Sequence, residues 1–311
     1  MNISYSKPFQ TYQELIQLLK SRGMIFNNEN KAENILRHVN YYRLGGYWLS
    51  FEEDHQTHKF KQNTQFENVL ALYSFDQKLK LFLSSAIEKI EVSVRANWAY
   101  QLAKKYDSHP HLNTNLFFNL NTHNKKELKE QNENKRNYYD NLCSLIKEIN
   151  RSDEVFIQHH LQNYKEVLPP VWVICEVMSF GLLSKWFKSL NSISLKDEIA
   201  RAYKIEGKVL ESWLSHLRII RNISAHHSRL WDIDFRTTPM LNKSGSLKDQ
   251  LIPNSRKIYN SLIILLYLVD IISPKDLFRD KLKDLLLENR QNLLQMGFPD
   301  DWENKLVWQA L

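Results

Sequence analysis

Glycine constrains this chain more than any other residue, because it occupies only 7 of 311 positions. β-Sandwiches, doubly wound nucleotide folds and phosphate-binding loops all need glycine where the backbone takes positive φ or approaches a ligand closely. Such a chain is expected to be mostly helical, and any recognition of phosphate must come from its side chains. A hydrophobic content of 43% suffices for one large core or two smaller ones, and 12% aromatic residues are too many for a disordered chain.

Two cysteines, Cys143 and Cys175, stand apart without a CxxC pair. That spacing excludes a disulfide framework or a thiolate zinc site and suits a reducing compartment. The first ten residues lack the apolar core of a secretory leader. The most apolar run, residues 262–272, is interrupted by Asp270 and falls short of the roughly 20 residues a membrane helix needs. A soluble, cytoplasmic protein with no membrane partner is expected. The 42 Lys+Arg exceed the 35 Asp+Glu by a formal +7, a balance that permits a nucleic-acid partner without demanding one.

Along the chain, Thr11 to Glu14 forms a capping box, followed by Leu15, Leu18 and Leu19 at helical spacing until Gly23. A second helix is expected from about Asn30, ending within NYYRLGGYW (40–48) at the Gly45-Gly46 pair. Residues 50–63 read as loop, with at most a short strand pair within 48–60. Thr64 to Glu67 is a second capping box, launching one long helix or two nearly continuous ones through Val69, Leu79, Ile87, Ile90 and Val94 to about Lys105. Periodicity fails over 106–122, and residues 124–149 alternate in charge, the pattern of a solvated helix. Further helices are predicted over 171–190, 195–203, 208–223, 254–272 and 275–290, the last started by Ser273-Pro274.

Motifs for dinucleotide, P-loop, zincin, serine-hydrolase and EF-hand chemistry are missing. His55/His58 and His109/His111 have ligand-like spacing but lie in polar, loop-like text without organised carboxylates. Catalysis is therefore expected to need no metal and no cofactor.

The informative segment runs from Glu211 to Asp232, ESWLSHLRIIRNISAHHSRLWD. Between its terminal acids it holds Arg218, Arg221, Arg229, His216, His226 and His227, and no carboxylate. Guanidinium forks match phosphate oxygens, and imidazole is the side chain that exchanges protons near neutrality. Acids distant in sequence could still neutralise the cluster in space. Leu210, Leu214 and Leu217 mark a buried stripe, and Arg221 falls on the same face, where an Arg is costly unless paired or used. Arg218 shares the polar side with Glu211 and Ser215. On a straight helix, Arg221 and His226 point about 140° apart. Either the helix bends or ends around 222–224, or a second chain completes the site.

The string RNISAH, from Arg221 through Asn222 to His226, resembles the RNxxAH signature of HEPN ribonucleases. The wider chain is similar to the Abi-like, or abortive-infection, family. That likeness is carried by KSRGM (20–24), NYYRLGGYW (40–48), LYSFDQKLK (72–80), AIEKIEVSVR (86–95), WVICEVMSFGLLS (172–184) and RNISAHHSRLW (221–231). Segments 107–163 and beyond 237 carry less of it. The resemblance implies an all-α, HEPN-like helical bundle with an N-terminal helical extension (1–63), a main domain (64–311) and a charged helical insertion (107–165). It also implies a homodimer and metal-independent endoribonuclease activity acting as a toxin in phage defence, with RNA as substrate and a small noncoding RNA as a further partner.

Under that resemblance His226 is the acid/base, Arg221 the phosphorane stabiliser and Asn222 an orienting group. The alternative is a non-cleaving protein that holds a structured RNA; a weaker one is a protein-interaction module. His227 is either substrate-contacting or structural. Arg218, Arg229 and Arg43 are candidate RNA contacts, and the i,i+4 pair Glu91 and Arg95 is either a surface salt bridge or support for the catalytic Arg. Tyr41, Tyr42, Tyr47 and Trp48 either stack on bases or pack a turn. Glu176 and Ser179 to Gly181 are assigned to helix packing.

Overall fold

A computed structural model of the chain describes residues 8–119, 121, 124–242 and 247–309; residues 1–7, read above for a leader, lie outside them. The protein is all-α, with twelve α-helices among the described residues and a single pair of very short strands. It divides into two compact units, Met1–Lys80 and Leu81–Leu311.

In the first unit, α1 (Tyr12–Ser21) starts from the capping box: the Thr11 hydroxyl accepts from the Glu14 N–H at 3.2 Å, and the Glu14 carboxylate accepts from the Thr11 N–H at 2.7 Å. Helix α2 (Glu29–His38) follows from an Asn28 cap. The NYYRLGGYW segment does not end that helix but is a helix itself, α3 (Tyr41–Trp48), with both glycines inside it. Leu44, Tyr47 and Trp48 are buried at helical spacing, which outweighs the roughly 1 kcal/mol that each interior glycine costs. These aromatics pack the unit: Tyr41 lies edge-on to Trp48 at 4.8 Å, and the Tyr47 hydroxyl donates to Asp76 at 2.7 Å. Strands β1 (Glu52–Asp54) and β2 (Lys59–Phe60) pair antiparallel. The second capping box does not form. The Thr64 hydroxyl donates to the Lys61 carbonyl at 2.8 Å, and Asn68 accepts the Gln65 N–H at 3.1 Å. Helix α4 (Phe66–Tyr106) then runs unbroken for 41 residues, of which 66–80 belong with the first unit.

The second unit contains α5 (Lys125–Asn150), α6 (Val155–Asn163), α7 (Val171–Val177), α8 (Phe180–Ser189), α9 (Ile193–Ala200), α10 (Gly207–Ala225), α11 (Tyr259–Ile272) and α12 (Phe278–Leu287). The charged helix α5 is solvated only in its first half. Its second half buries Tyr138, Leu145 and Ile149 and packs against α7 and α8. The expected helix over 171–190 is two, α7 and α8, broken where the Ser179 hydroxyl accepts the Leu182 N–H. Helix α11 begins at Tyr259, later than expected, and is buried around most of its circumference, as a central helix must be. Helix α12 also starts late, because Asp276 rather than Ser273 accepts the Phe278 N–H, at 2.8 Å.

Helix α10 packs on α8, α9 and α11. Trp213, Leu214, Leu217 and Ile220 are fully enclosed, and the Trp213 indole N–H donates to the Met240 carbonyl at 2.8 Å. Its first residue, Gly207, is pressed against α9: a Cβ there would stand 2.5 Å from Lys196 Cβ and 2.7 Å from its carbonyl carbon. Gly207→Ala is accordingly expected to destabilise the protein by about 1–3 kcal/mol through overpacking, read as a shift in urea midpoint at constant m-value. An unshifted midpoint would mean that α9 moves aside freely.

Candidate active site

The RNISAH string forms the last turn and cap of α10. The helix continues through Ala225, one residue past 222–224, and His226 is its C-cap. The next residue, His227, takes left-handed backbone at φ 55°. The Ser228 N–H reaches the Ile223 carbonyl at 2.9 Å and the His227 N–H reaches the Ser224 carbonyl at 3.1 Å, the two bonds of a Schellman cap. Glycine is the usual residue at that position, and an imidazole there is held in a sparsely populated conformation.

The burial expected for Arg221 is not found. Leu210, Leu214 and Leu217, at nearly the same azimuth, are covered, but one turn later Arg221 is exposed, as are Asn222, Ala225 and His226. Cover on this azimuth stops short of Arg221, although Ser224 in the last turn is still buried, so the cost of burying a guanidinium does not arise. Its chemistry rests instead on availability. Neither Arg221 nor His226 has a side-chain hydrogen bond or ion pair among the described residues, and the same holds for the half-exposed Arg218 and Arg229.

Arg218 runs along α8, with its Cδ 3.6 Å from where a Cβ on Gly181 would stand. His216 is a core residue: its Nε2 meets the Ser261 hydroxyl at 2.8 Å, its ring lies edge-on to Phe235 at 4.8 Å, and burial pushes its pKa down to about 4. Of the three histidines in the segment, only His226 and His227 are therefore exposed.

A carboxylate does approach the cluster from α4. Glu91 pairs with Arg95, and burial raises the Glu91 pKa against the opposing pull of Arg95 and Arg221. Glu91, Arg95 and Arg221 thus share one electrostatic neighbourhood. Arg95 is anchored as well: it donates to the Glu176 carbonyl at 3.1 Å and to the Met178 carbonyl at the end of α7. Sequence reading missed the complement on the other side of this junction. Glu148 of α5 accepts from both the N–H and the hydroxyl of Ser179, at 2.9 and 2.8 Å. The visible signal was Ser179, an N-cap residue ahead of an apolar run. Arg95 on the free carbonyls and Glu148 on the free amide fix the α7–α8 corner, matching helix-end charge. Arg43 lies in the first unit, exposed beside Tyr47.

His55 and His58 both lean on the buried carboxylate of Glu52, at 2.8 and 3.3 Å. Among the described residues no group of three or more His, Cys, Asp or Glu side chains is arranged to hold a metal ion, and no helix is long and apolar enough to cross a membrane. Cys175 is buried with its thiol pushed up to about 12, and Cys143 is exposed and unbridged.

No curated protein and no solved structure matches the chain. Residues 34–232, more than half of the sequence, match the family described as Abi-like protein, and the matched region ends just past the α10 cap. The chain belongs to the Abi-like protein family, which associates it with abortive-infection defence.

Proposed function

We propose that this protein is a metal-independent endoribonuclease of the HEPN type, with Arg221 and His226 as its catalytic residues. The observation that carries the reading is the state of the α10 terminus: a guanidinium and an imidazole, both exposed and neither held by a side-chain hydrogen bond or close ion pair among the described residues. RNA brings its own nucleophile, so the protein has to supply only a base, an acid and a counter-charge. An imidazole removes the 2′-hydroxyl proton as that oxygen attacks phosphorus. A second proton donor protonates the departing 5′-oxygen. The Arg221 fork neutralises the non-bridging oxygens, where charge accumulates. Asn222, on the same exposed turn, orients the phosphate. The products are a 2′,3′-cyclic phosphate and a 5′-hydroxyl. Glu91 and Arg95 act as positioning residues, holding the neighbourhood of Arg221 against the α7 end.

Because α10 is helical from Arg221 through Ala225, the two side chains diverge by about 140°. A homodimer places Arg221 of one chain with His226 of its mate, so that two such sites form about the two-fold axis.

The test is purified protein with unstructured RNA in the presence of EDTA. Cleavage is expected to persist, to leave cyclic-phosphate ends and to vanish with His226→Ala. Cleavage that survives both His226→Ala and Arg221→Ala sinks the reading. RNA that stays bound and uncut by the wild-type chain assigns the protein to RNA holding instead.

A further inference from the structure

Just beyond the C-terminal end of α4 the second unit forms a cleft of about 760 Å³ that the cleavage chemistry does not use. Its lining includes Glu166 and three flat rings: Phe156 of α6, Tyr164 after it, and Trp172 of α7, the last 51% exposed although it lies on a helix of the bundle. The imidazole of His160 stacks on Tyr164 at 5.1 Å and 14°.

The frame is preformed. The Val171 N–H donates to the Ser108 carbonyl at 2.8 Å, the His109 ring to the Leu168 carbonyl at 3.0 Å, and the His160 ring to the Glu166 carbonyl at 3.2 Å. Each of these two rings is tied to the backbone through its Nε2, which fixes it as part of the wall.

A basic groove is lined by the last turns of α4, a few residues before the cleft begins. Lys104 and Lys105, in the last turn of α4, face Arg201 across about 620 Å³, with Glu198 as the one carboxylate of the lining. Lys105 is paired with Glu198 at 3.2 Å, and neither Lys104 nor Arg201 has an ion pair among the described residues. Lys104 lies over the exposed ring of Tyr100 at 6.0 Å. Lys105 and Ser108 are three residues apart, at most about 11 Å of chain, so groove and cleft are neighbours. Arg95, beside the α10 site, stands ten residues back on the same helix, about 15 Å along its axis.

Cationic side chains close to an aromatic slot are the combination that binds single-stranded nucleic acid, with phosphates on the charges and bases on the rings. Apolar ligands have no use for the groove, and compact anions have no use for the rings.

We propose that the Phe156–Tyr164–Trp172 cleft receives an unpaired base of an RNA strand whose phosphates run along Lys104 and Arg201, several nucleotides from the scissile bond. The inference rests on the RNA reading above and adds to it a remote anchor for the strand.

The test measures binding of unstructured RNA strands of increasing length, by fluorescence anisotropy, to the full chain carrying His226→Ala so that the RNA stays intact. Affinity is expected to step upward once a strand spans from the α10 terminus to the cleft. Trp172→Ala and Tyr164→Ala each remove that step, weakening binding of the longer strand by about 5- to 150-fold, the effect of one lost base stack. Trp172→Phe, which keeps a ring, restores most of it and so separates stacking from a folding defect. Lys104→Ala with Arg201→Ala lowers the salt slope by about 1.4, two phosphate contacts on a single strand.

If folded Trp172→Ala binds the longer strand as tightly as its parent, the cleft proposal is overturned and the ribonuclease reading stands. A wild-type chain that neither binds nor cuts RNA of any length overturns both. Self-association lost in Trp172→Ala, with no change in RNA binding, assigns the cleft to a second copy of the chain and also overturns the proposal.

Discussion

Equal mixing of Arg221→Ala and His226→Ala chains is expected to restore about a quarter of wild-type cleavage, although each variant alone loses about 10²–10⁴-fold. The expectation comes from helix geometry. Arg221 lies in the last turns of α10 and His226 caps the helix, so at about 100° per residue a single chain aims the two groups in different directions. If each site draws Arg221 from one chain and His226 from the other, a mixed dimer has one site with both groups intact and one with both removed. Random exchange makes about half the dimers mixed, each with half its sites, which gives the quarter. The measurement is initial rate after the two inactive preparations are unfolded together, refolded and compared with each refolded alone. A mixture no faster than the sum of its parts would place Arg221 and His226 of one chain in the same site and remove the need for a trans arrangement.

The buried face of α10 is legible in the sequence. Leu210, Leu214 and Leu217 marked the buried face of α10 because side-chain burial follows the 3.6-residue period wherever a neighbour covers the helix. Arg221 was misplaced for the complementary reason. Its azimuth is that of the leucines, but burial depends on how far α8, α9 and α11 extend along α10, and that length is not written in the sequence of α10 itself. The same limit applies to Glu148, which reaches Ser179 over 31 residues of sequence. The GlyGly pair in NYYRLGGYW suggested an ending because glycine lowers helix propensity; burial of Leu44, Tyr47 and Trp48 on one face overrode it. The helical class itself was legible from the shortage of glycine, since that is a property of the whole chain rather than of any one contact.

Acidification from pH 7 to pH 5 is expected to remove about 4 kcal/mol of folding stability through two histidines outside the proposed active site. His216, fully enclosed against Ser261 and Phe235, has its pKa pushed down to about 4 by burial. His111 is also enclosed, with neither ring nitrogen hydrogen-bonded among the described residues, and burial followed by the nearby His109 pushes it down to about 3. In the unfolded chain both return to about 6.5. Between the folded and unfolded values the unfolded chain binds more protons. The stabilising contribution is therefore complete above about pH 6.5 and is lost as pH falls toward the folded values. At pH 5 each group is about 1.5 units below its unfolded pKa, or about 2 kcal/mol. Burial raises Glu91 and Asp270, whose contributions run the other way but belong to the carboxylate range. Urea midpoints at the two pH values measure the loss. His216→Gln, which keeps a hydrogen-bonding group toward Ser261, is expected to remove about half of the pH dependence. An undiminished dependence in that variant would mean His216 is not the group that titrates. Because a total stability of about 5–15 kcal/mol is usual, such a loss is large enough to mimic a catalytic pKa in an activity profile. RNA cleavage must therefore be measured per folded molecule, with the folded fraction determined at each pH.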